Sequence, residues 1–231
     1  MWASLKLTAR QLGVADALLY YLSQAMRRLS GQRARIVRYH IVAQPVRAVA
    51  VARPAAGSAA VRQLLAGDPA LAALPRAPAV LEARFANGDV CLAIFAKGTL
   101  AGFLWLAFGG YEEDEVRCRY QLPDPHLGWD YDVHIEPAYR MSRSLARLWD
   151  AANERLAARG VRWSLSRISA FNPASLAAHA RLGARPMQSI TFVCLGPLEL
   201  AVASGGRVLT MSITPATRPV LRLQAPSDSA E

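Results

Sequence analysis

A single stretch, residues 130–161 with the sequence DYDVHIEPAYRMSRSLARLWDAANERLAARGV, sets the main constraint on the fold. It begins with alternating polar and apolar residues, which is typical of a strand, and it turns at Pro137. Apolar residues then recur at helical spacing until Gly160, a residue that favours the end of a helix. A strand that leads directly into a long amphipathic helix indicates a mixed α/β domain.

The rest of the chain extends this pattern. Lys97-Gly98 predicts the turn of a hairpin within residues 89–108. Helical spacing and alternation predict three further helices, over 14–29, 58–67 and 172–183, and strands over 34–46, 46–54, 116–122, 161–169, 187–196 and 198–213. In the third helix Asn172 is the expected N-cap and Pro173 the first helical residue. The pattern predicts a mixed α/β domain with a hairpin-built sheet and helices crossing over it.

Composition divides the chain into three predicted parts. Residues 1–78 are interpreted as a helix and strand extension of unknown role, 79–212 as the main domain, and 213–231 as a flexible tail rich in Pro and Ser. The acidic run YEEDE at 111–115 has two interpretations. It is either a solvated turn or a surface that attracts a cationic substrate.

The charge balance indicates the class of partner without choosing one. The net charge of +10 comes from 27 Lys and Arg against 17 Asp and Glu, mostly as arginine. Such a surface favours polyanions, although a coding bias toward arginine would give the same balance. Because basic residues do not alternate with aromatic residues and no nucleic-acid-binding module is recognised, the sequence predicts no nucleic-acid partner.

The cysteines and the hydropathy indicate the cellular setting. Cys91, Cys118 and Cys194 are far apart and lie in apolar surroundings, so we expect buried thiols, no disulfide framework and no metal site. The first residues lack the charged-then-apolar pattern of a signal peptide. No run of 18 uncharged apolar residues occurs, so we expect no transmembrane segment and a cytoplasmic location.

The strand before Pro137 carries three titratable side chains. Strict alternation assigns its residues to two faces: Trp129, Tyr131, Val133 and Ile135 on one, and Asp130, Asp132 and His134 on the other. The polar face is either the exposed face of an edge strand or the floor of a cleft that holds a catalytic base.

The helix that follows begins with hydroxyl and guanidinium groups. Its predicted first turn, residues 140–145, contains Arg140, Ser142, Arg143 and Ser144. Free N–H groups and the positive end of the helix dipole favour an anion there, and arginine forks suit phosphate. The alternative is a solvated stripe, because Arg140, Arg143 and Arg147 recur at helical spacing.

Two segments together resemble the signature regions of the GNAT superfamily of acyltransferases. The resemblance covers about residues 80–200 and implies a central, largely antiparallel sheet flanked by helices. The first signature falls on Ile135, Pro137, Tyr139 and Arg140, and the second on Asn172, Ser175, His179, Leu182 and Gly183. Arg143 and Leu145 stand where the family usually has glycines that let backbone N–H groups approach the pyrophosphate of coenzyme A.

The resemblance implies roles for individual residues. Asp132 is the expected base, with Asp130 and His134 as alternatives, and His179 occupies the position where many relatives have the acid that protonates the thiolate. Backbone N–H groups around Val133, His134 and Ile135 would polarise the thioester. The expected cofactor-binding residues are these three with Arg140, Met141, Ser142, Arg143, Ser144, Leu145 and Asn172. Asn172 and His179 also have structural interpretations, as a helix cap and as a packed helix residue.

The resemblance also implies a reaction. We expect transfer of an acyl group, acetyl in the first instance, from acetyl-CoA or another acyl-CoA to an amine on a small molecule or a peptide. Longer acyl-CoA and acyl-carrier-protein donors remain open, as do O-acylation and a homodimer. A protein of the same shape without catalysis, acting as a sensor or partner-binding module, is the alternative from a different class.

Overall fold

The computed structural model describes residues 2–47, 59–204, 206–214 and 216–226. Within it the chain forms two compact units. We call residues 45–110 and 122–165 the hairpin unit, and residues 1–44, 111–121 and 166–231, which include both ends of the chain, the terminal unit. The predicted domain boundaries at residues 78 and 212 stay a prediction, since residues 1–78 contribute to both units.

The hairpin unit contains a sheet with the strand order β2-β3-β4-β7-β8. Its elements are β2 (Ala60–Leu64), a 3₁₀ turn (Pro69–Ala73), α3 (Pro78–Ala86), β3 (Val90–Ala96), β4 (Thr99–Phe108), β7 (Leu127–Ile135), a second 3₁₀ turn (Pro137–Tyr139), α4 (Ser144–Ala157) and the start of β8 (Trp163–Ser169). Lys97 and Gly98 have φ of 51° and 80°, as a two-residue hairpin turn requires, so the predicted hairpin is confirmed.

Two sequence predictions fail in this unit. The helix predicted over 58–67 is wrong, because residues Ala60–Leu64 form strand β2 and pair antiparallel with β3. Its Ala and Leu content favours a helix, but the free edge of β3 offers hydrogen bonds and a place to bury Leu64 completely. Helix α3 was not predicted; it begins at Pro78, a residue that suits the first helical position.

Helix α4 connects two parallel strands. Strands β7 and β8 pair in parallel from Leu127↔Trp163 to Trp129↔Leu165. The apolar side of α4 is buried through Leu148, Trp149, Ala152 and Leu156. Gly160 has φ 73°, which confirms its predicted place just past the helix end.

The terminal unit contains the strand order β11-β10-β9-β1-β8, with β8 contributing its later residues. Its elements are α1 (Trp2–Leu12), α2 (Val14–Leu29), β1 (Ala34–Pro45), β5 (Gly110–Glu112), β6 (Arg119–Gln121), α5 (Pro173–Arg181), β9 (Arg185–Leu195), β10 (Leu198–Ala203), β11 (Val208–Ser212) and β12 (Val220–Arg222). The predicted helix 14–29 and strand 34–46 are confirmed. Most of the strand predicted over 46–54 lies outside the described residues.

A small second sheet has the order β12-β6-β5, and β12 pairs in parallel with β6. Part of the tail predicted to be flexible therefore forms a strand. The interpretation of 111–115 as a solvated turn fails at Glu113, which is completely buried against Arg167.

The predicted fold class is confirmed: the protein is mixed α/β, and its described residues form a large, mainly antiparallel sheet and five helices. All three cysteines are free and buried, as expected. Across the described ranges, no helix is both long enough and apolar enough to cross a lipid bilayer.

Candidate functional site

Strand β7 contains a bulge at Asp132. Its neighbour β4 pairs Phe103 with His134 and Trp105 with Tyr131, so that Asp132 and Val133 together oppose one residue of β4. Asp132 adopts φ 50°, a left-handed conformation that Asp and Asn tolerate better than most residues. The extra residue bends the strand and shifts the alternation of its side chains.

The bulge corrects the predicted assignment of faces. Tyr131 and His134 both lie on the face of Phe103 and Trp105, because residues paired across antiparallel strands share a face. The rings confirm this, with Phe103 and His134 stacked 5.4 Å apart and Trp105 and Tyr131 6.3 Å apart. Asp130 instead pairs with Leu106 and is buried, where its carboxylate accepts a 2.6 Å hydrogen bond from Ser164 Oγ. Strict alternation does not anticipate this arrangement.

Two arginines hold the carboxylate of Asp132. Arg76 binds both carboxylate oxygens through Nε and Nη2, with Nε 2.8 Å from Oδ2, and Arg84 Nη1 lies 2.6 Å from Oδ2. The side chains of Asp132 and Arg84 are 10% and 11% exposed, whereas Arg76 is 34% exposed. We call these three residues the Asp132 cluster. The two guanidinium groups compensate the negative charge of the carboxylate that was expected to act as the base.

Aromatic rings form the floor beneath the arginines. The Arg84 guanidinium lies 5.0 Å from the Trp105 ring and 4.8 Å from the Tyr131 ring. The Tyr131 hydroxyl donates a 2.6 Å hydrogen bond to Asp89, and burial raises the pKa of that carboxyl, while Tyr131 and Arg84 lower it. Cation–π contacts and a second carboxylate therefore fix Arg84 in place.

His134 is more accessible than Tyr131 on the same face of β7. Its side chain is 28% exposed, and Nε2 lies 3.2 Å from the Glu136 carboxylate. Beyond His134, the backbone N–H and C=O groups of β7 continue to alternate between the two sides of the strand. The Glu136 N–H donates to Ala101 of β4, so alternation directs the N–H and C=O of Ile135 away from β4. Consistent with this, the Ile135 carbonyl accepts a 3.2 Å hydrogen bond from Arg140 Nε.

The predicted helix start at residue 140 is wrong by about one turn. Residues 137–139 form a 3₁₀ turn, 140–143 a further turn, and α4 begins at Ser144. Ser142 Oγ donates to the Tyr139 carbonyl at 2.6 Å and accepts from the Ser144 N–H at 3.1 Å. Ser142 thereby satisfies the first N–H of α4, which leaves the N–H groups of Leu145 and Ala146 as the next donors.

The turn before α4 presents its side chains to solvent. Arg140, Met141, Ser142 and Arg143 are all exposed, and Met141 completely so, whereas Ser144 is buried and Leu145 half-buried. Among the described residues, no ion-pair partner of Arg143 is found. Arg143 has φ −81° and ψ 11°, so the backbone conformation at this family glycine position requires no glycine. The turn therefore fits a phosphate ligand through side chains and the following amides.

Asn172 and His179 lie in the terminal unit, separate from the residues above. Asn172 Oδ1 accepts from the Ser175 N–H at 3.1 Å, which confirms the predicted cap of α5. His179 is 6% exposed, and its Nδ1 lies 2.9 Å from the Ser175 carbonyl. Because a carbonyl oxygen only accepts, Nδ1 carries the proton, and in the neutral ring Nε2 is the acceptor.

The hairpin unit also contains a cavity of about 810 Å³ that the sequence did not reveal. Its walls come from the segment around the first 3₁₀ turn and from α3, and are mainly apolar, including Leu71, Leu81 and Phe85. Arg76 lines the cavity and also belongs to the Asp132 cluster. The Pro-rich run over 69–78 was the only signal of an unusual segment there. In the part of the chain that the structure describes, no group of His, Cys, Asp and Glu side chains is suited to hold a metal ion.

Comparisons with known proteins give likeness in structure alone. No family model matches the sequence. No curated protein matches it either. A functionally unknown conserved protein from Staphylococcus epidermidis is similar with TM-score 0.51 and 6% identity, over 74% of this chain and 66% of that one. A protein from Novosphingobium aromaticivorans assigned to the GNAT acetyltransferases has TM-score 0.48 and 20% identity, over 69% and 64%.

A third similar structure is AAC(6')-Iy in complex with the bisubstrate analogue CoA-S-monomethyl-acetylneamine. Its TM-score is 0.40 and its identity 20%, over 54% of this chain and 89% of that one. The chain spans slightly less than two thirds of the first two structures. At these identities the likeness concerns the fold, and the solved structures similar to this mixed α/β fold include GNAT acetyltransferases.

Proposed function

We propose that the protein transfers an acyl group, acetyl in the first instance, from a coenzyme A thioester to an amine. The observation that carries the proposal is the bulged end of β7, where the Ile135 N–H points away from β4 and the chain continues into a turn with exposed Arg140 and Arg143. This sequence of a strand, a Pro137 corner and a basic turn is where the first GNAT-like motif falls. The reaction needs a phosphate site and an amide donor close together along the chain, and the basic turn and the Ile135 N–H would supply them.

The donor would be held at the turn before α4. Arg143 and Arg140 supply charge for phosphate, and the N–H groups of Leu145 and Ala146 supply further donors. A bound acyl thioester supplies an electrophilic carbonyl. The Ile135 N–H would donate to that carbonyl oxygen as negative charge develops on it, with Val133 as a second candidate.

His134 is better suited than Asp132 to accept the amine's proton. Asp132 is bound by two arginines, so taking up a proton there would break both ion pairs. His134 is half-buried, its imidazole is a group that can accept a proton from an amine, and its Nε2 lies 3.2 Å from the Glu136 carboxylate. The expected role of Asp132 then becomes to fix the bulge that positions His134 and Ile135.

Further assignments follow from the same reaction. The expected role of His179 as the acid that protonates the departing thiolate stays a prediction, and its neutral form carries the proton on Nδ1 toward Ser175. The acceptor amine would carry an apolar group that fits the cavity between the first 3₁₀ turn and α3. We place the reaction in the cytoplasm, without a metal ion.

Calorimetric titration with acetyl-CoA tests the donor site. We expect Arg143→Ala and Arg140→Ala each to weaken binding by about three- to tenfold. Arg162→Ala, which removes an exposed arginine of the same unit, is the matched control and should change affinity little. Equal weakening in all three variants would indicate a nonspecific charge effect and contradict the site. Absence of binding to acetyl-CoA and to longer acyl-CoA donors would reject the proposal.

A non-catalytic sensor is the second candidate, and the neutralised Asp132 is the observation that favours it. A screen of apolar amines with acetyl-CoA separates the two functions. For an enzyme we expect His134→Gln to lower kcat by about a hundredfold or more with unchanged donor affinity. Donor binding without turnover of any amine would favour the sensor.

A further inference from the structure

Helix α2 presents its apolar side to solvent. Val14, Leu18, Leu22 and Leu29 are 70%, 66%, 51% and 89% exposed, and Ala25 between them is also exposed. At roughly 100° per residue these five positions fall within an arc of roughly 80°, and they extend along about 22 Å of the helix. We call them the outward stripe.

The inward side of α2 is unusually polar. Ser23 is buried, and its hydroxyl donates to the Ile36 carbonyl at 2.8 Å and accepts from the Ile36 N–H at 3.0 Å. Asp16 pairs with Arg38 at 2.7 Å and with His40 at 3.1 Å. A surface helix normally buries its apolar residues, whereas α2 leaves the apolar residues of the outward stripe exposed. An exposed apolar surface of this kind marks an interaction site.

Among the described side chains of residues 7–33, the charges without an ion-pair partner are all positive. Asp16 is the only acidic residue in the first 33 residues, and its carboxylate is already paired. Arg10, Arg27, Arg28 and Arg33 are exposed. Arg27 donates to the amide oxygen of Gln32, a contact that leaves its charge uncompensated.

This charge distribution decides between possible occupants. A symmetric contact between two copies would bring these arginines near each other with no free carboxylate from the same segment. An anionic bilayer surface instead offers phosphate and carboxylate groups to the arginines and an apolar layer to the leucines. We propose that the outward stripe of α2 docks on the surface of an anionic lipid membrane, with the helix lying in the plane of the interface.

The test is co-sedimentation of the full chain with phosphatidylcholine vesicles, with and without phosphatidylserine. We expect binding to the anionic vesicles that weakens as salt is raised, since screening reduces the attraction. The double variant Leu18→Glu/Leu22→Glu should bind at least about tenfold more weakly. Both positions are exposed, so circular dichroism and Tm should stay unchanged.

The matched control is Val208→Glu/Ile213→Glu. These side chains are 59% and 62% exposed in the same unit, and the substitutions change the net charge equally. We expect this variant to lose much less affinity than the α2 variant. Equal loss in both variants would mean that net charge alone drives adsorption and would overturn the proposal. So would failure of the wild-type chain to bind any vesicle, or a wild-type dimer in sedimentation velocity that Leu18→Glu/Leu22→Glu dissociates.

Discussion

Asp132 in the hairpin unit and Glu113 in the terminal unit are both carboxylates bound by arginine, but their surroundings differ. The Asp132 carboxylate lies at a strained backbone position, and its partner Arg76 is one third exposed and lines a cavity. The Glu113 side chain is fully buried and lies in a short connection between two strands. An arginine–carboxylate ion pair therefore lies beside a cavity in the hairpin unit and in the buried interior of the terminal unit.

Glu113 is held by several donors at once. Arg167 binds it through Nε at 2.7 Å and Nη2 at 2.6 Å, and the N–H groups of Asp114 and Glu115 lie 3.2 Å from Oε1. The Arg167 guanidinium also lies 4.5 Å from the Tyr39 ring. Burial raises the pKa of Glu113, and the charge and hydrogen bonds of Arg167 lower it. Nothing in this arrangement leaves room for a ligand.

The difference indicates which cluster has a functional role. A buried pair with every donor satisfied holds its unit together, and removing one partner leaves an uncompensated charge. The Asp132 cluster is also nearly saturated, but Arg76 has one side toward the cavity and can respond to a ligand there. We infer that Glu113 acts through stability alone, whereas Asp132 acts on the position of His134 and Ile135.

The largest expected effect is from Arg167→Met. It leaves the fully buried Glu113 carboxylate without its counter-charge, and we expect the free energy of unfolding to fall by about 3–5 kcal/mol in chemical denaturation. Glu112→Gln, at an exposed ion pair with Arg218, is the control and should cost at most about 1 kcal/mol. Similar small losses in both variants would contradict the scaffold role of Glu113.

The variant Glu113→Gln tests the pH dependence. Because the folded-state pKa of Glu113 is raised above its ordinary value, the folded state binds more protons in that window, and its contribution to stability falls as the pH rises through it. We expect Glu113→Gln to remove this slope between the ordinary carboxyl pKa and the raised one. Denaturation curves across mildly acidic pH measure it, and an unchanged slope would mean that another group titrates.

The second effect is from Asp132→Asn, which keeps a residue type that tolerates positive φ while removing the charge. Arg76 and Arg84 lose their partner, so we expect a loss of about 2 kcal/mol, less than at Glu113 because Arg76 can turn to solvent. Asp132→Ala should cost about 1 kcal/mol more, since alanine disfavours the left-handed conformation. If Asp132→Asn keeps its full stability but loses turnover, Asp132 is the base, and the contrast drawn between Asp132 and Glu113 does not hold.

How much of this could be predicted from the sequence depends on how local the determinants are. The helix of residues 14–29 and the Lys97-Gly98 turn were predicted because spacing and glycine placement act within a few residues. Strand β2 was missed because the Ala and Leu residues of 58–67 favour a helix, and only the free edge of β3 decides otherwise. Strand β12 was predicted to be part of a flexible tail, because its partner β6 lies about 100 residues earlier in the chain and a local pattern does not reveal that pairing.

The candidate site was predicted as a set of residues but without its internal arrangement. The strand, the basic turn and the Asn172 cap were all identified from their motifs. The bulge was not, because nothing in DYDVHI signals that Asp132 adopts positive φ. Arg76 and Arg84 lie 56 and 48 residues before Asp132, so their binding to it depends on tertiary packing.

The third effect is from Gly102→Ala on β4. An added Cβ would lie 2.5 Å from the His134 carbonyl oxygen and 2.6 Å from Ile135 Cδ1, so the backbone of β7 must move. We expect a loss of about 1–3 kcal/mol in stability and weaker acetyl-CoA binding. Gly128→Ala is the matched control, because its nearest atom is the movable Leu156 Cδ2 at 2.8 Å. Comparable effects of both variants on binding would argue against a positioning role for the bulge.

The smallest expected effect is in the reactivity of the native thiols, and it separates the two units. Burial raises the pKa of Cys91 and Cys118 to about 12 and that of Cys194 to about 11, so little thiolate is present at mildly alkaline pH. We therefore expect almost no reaction of the native chain with a thiol reagent, and three thiols after unfolding. Cys91 lies in the hairpin unit, whereas Cys118 and Cys194 lie in the terminal unit.

The variants should then differ in which thiol reacts first. Arg167→Met should accelerate labelling of Cys118 and Cys194, and Asp132→Asn that of Cys91, as measured by mass spectrometry of labelled peptides. Local opening near each substitution exposes the thiol of its own unit before global unfolding does. If all three thiols react at one common rate in both variants, the units open together, and the two carboxylate clusters support a single cooperative structure.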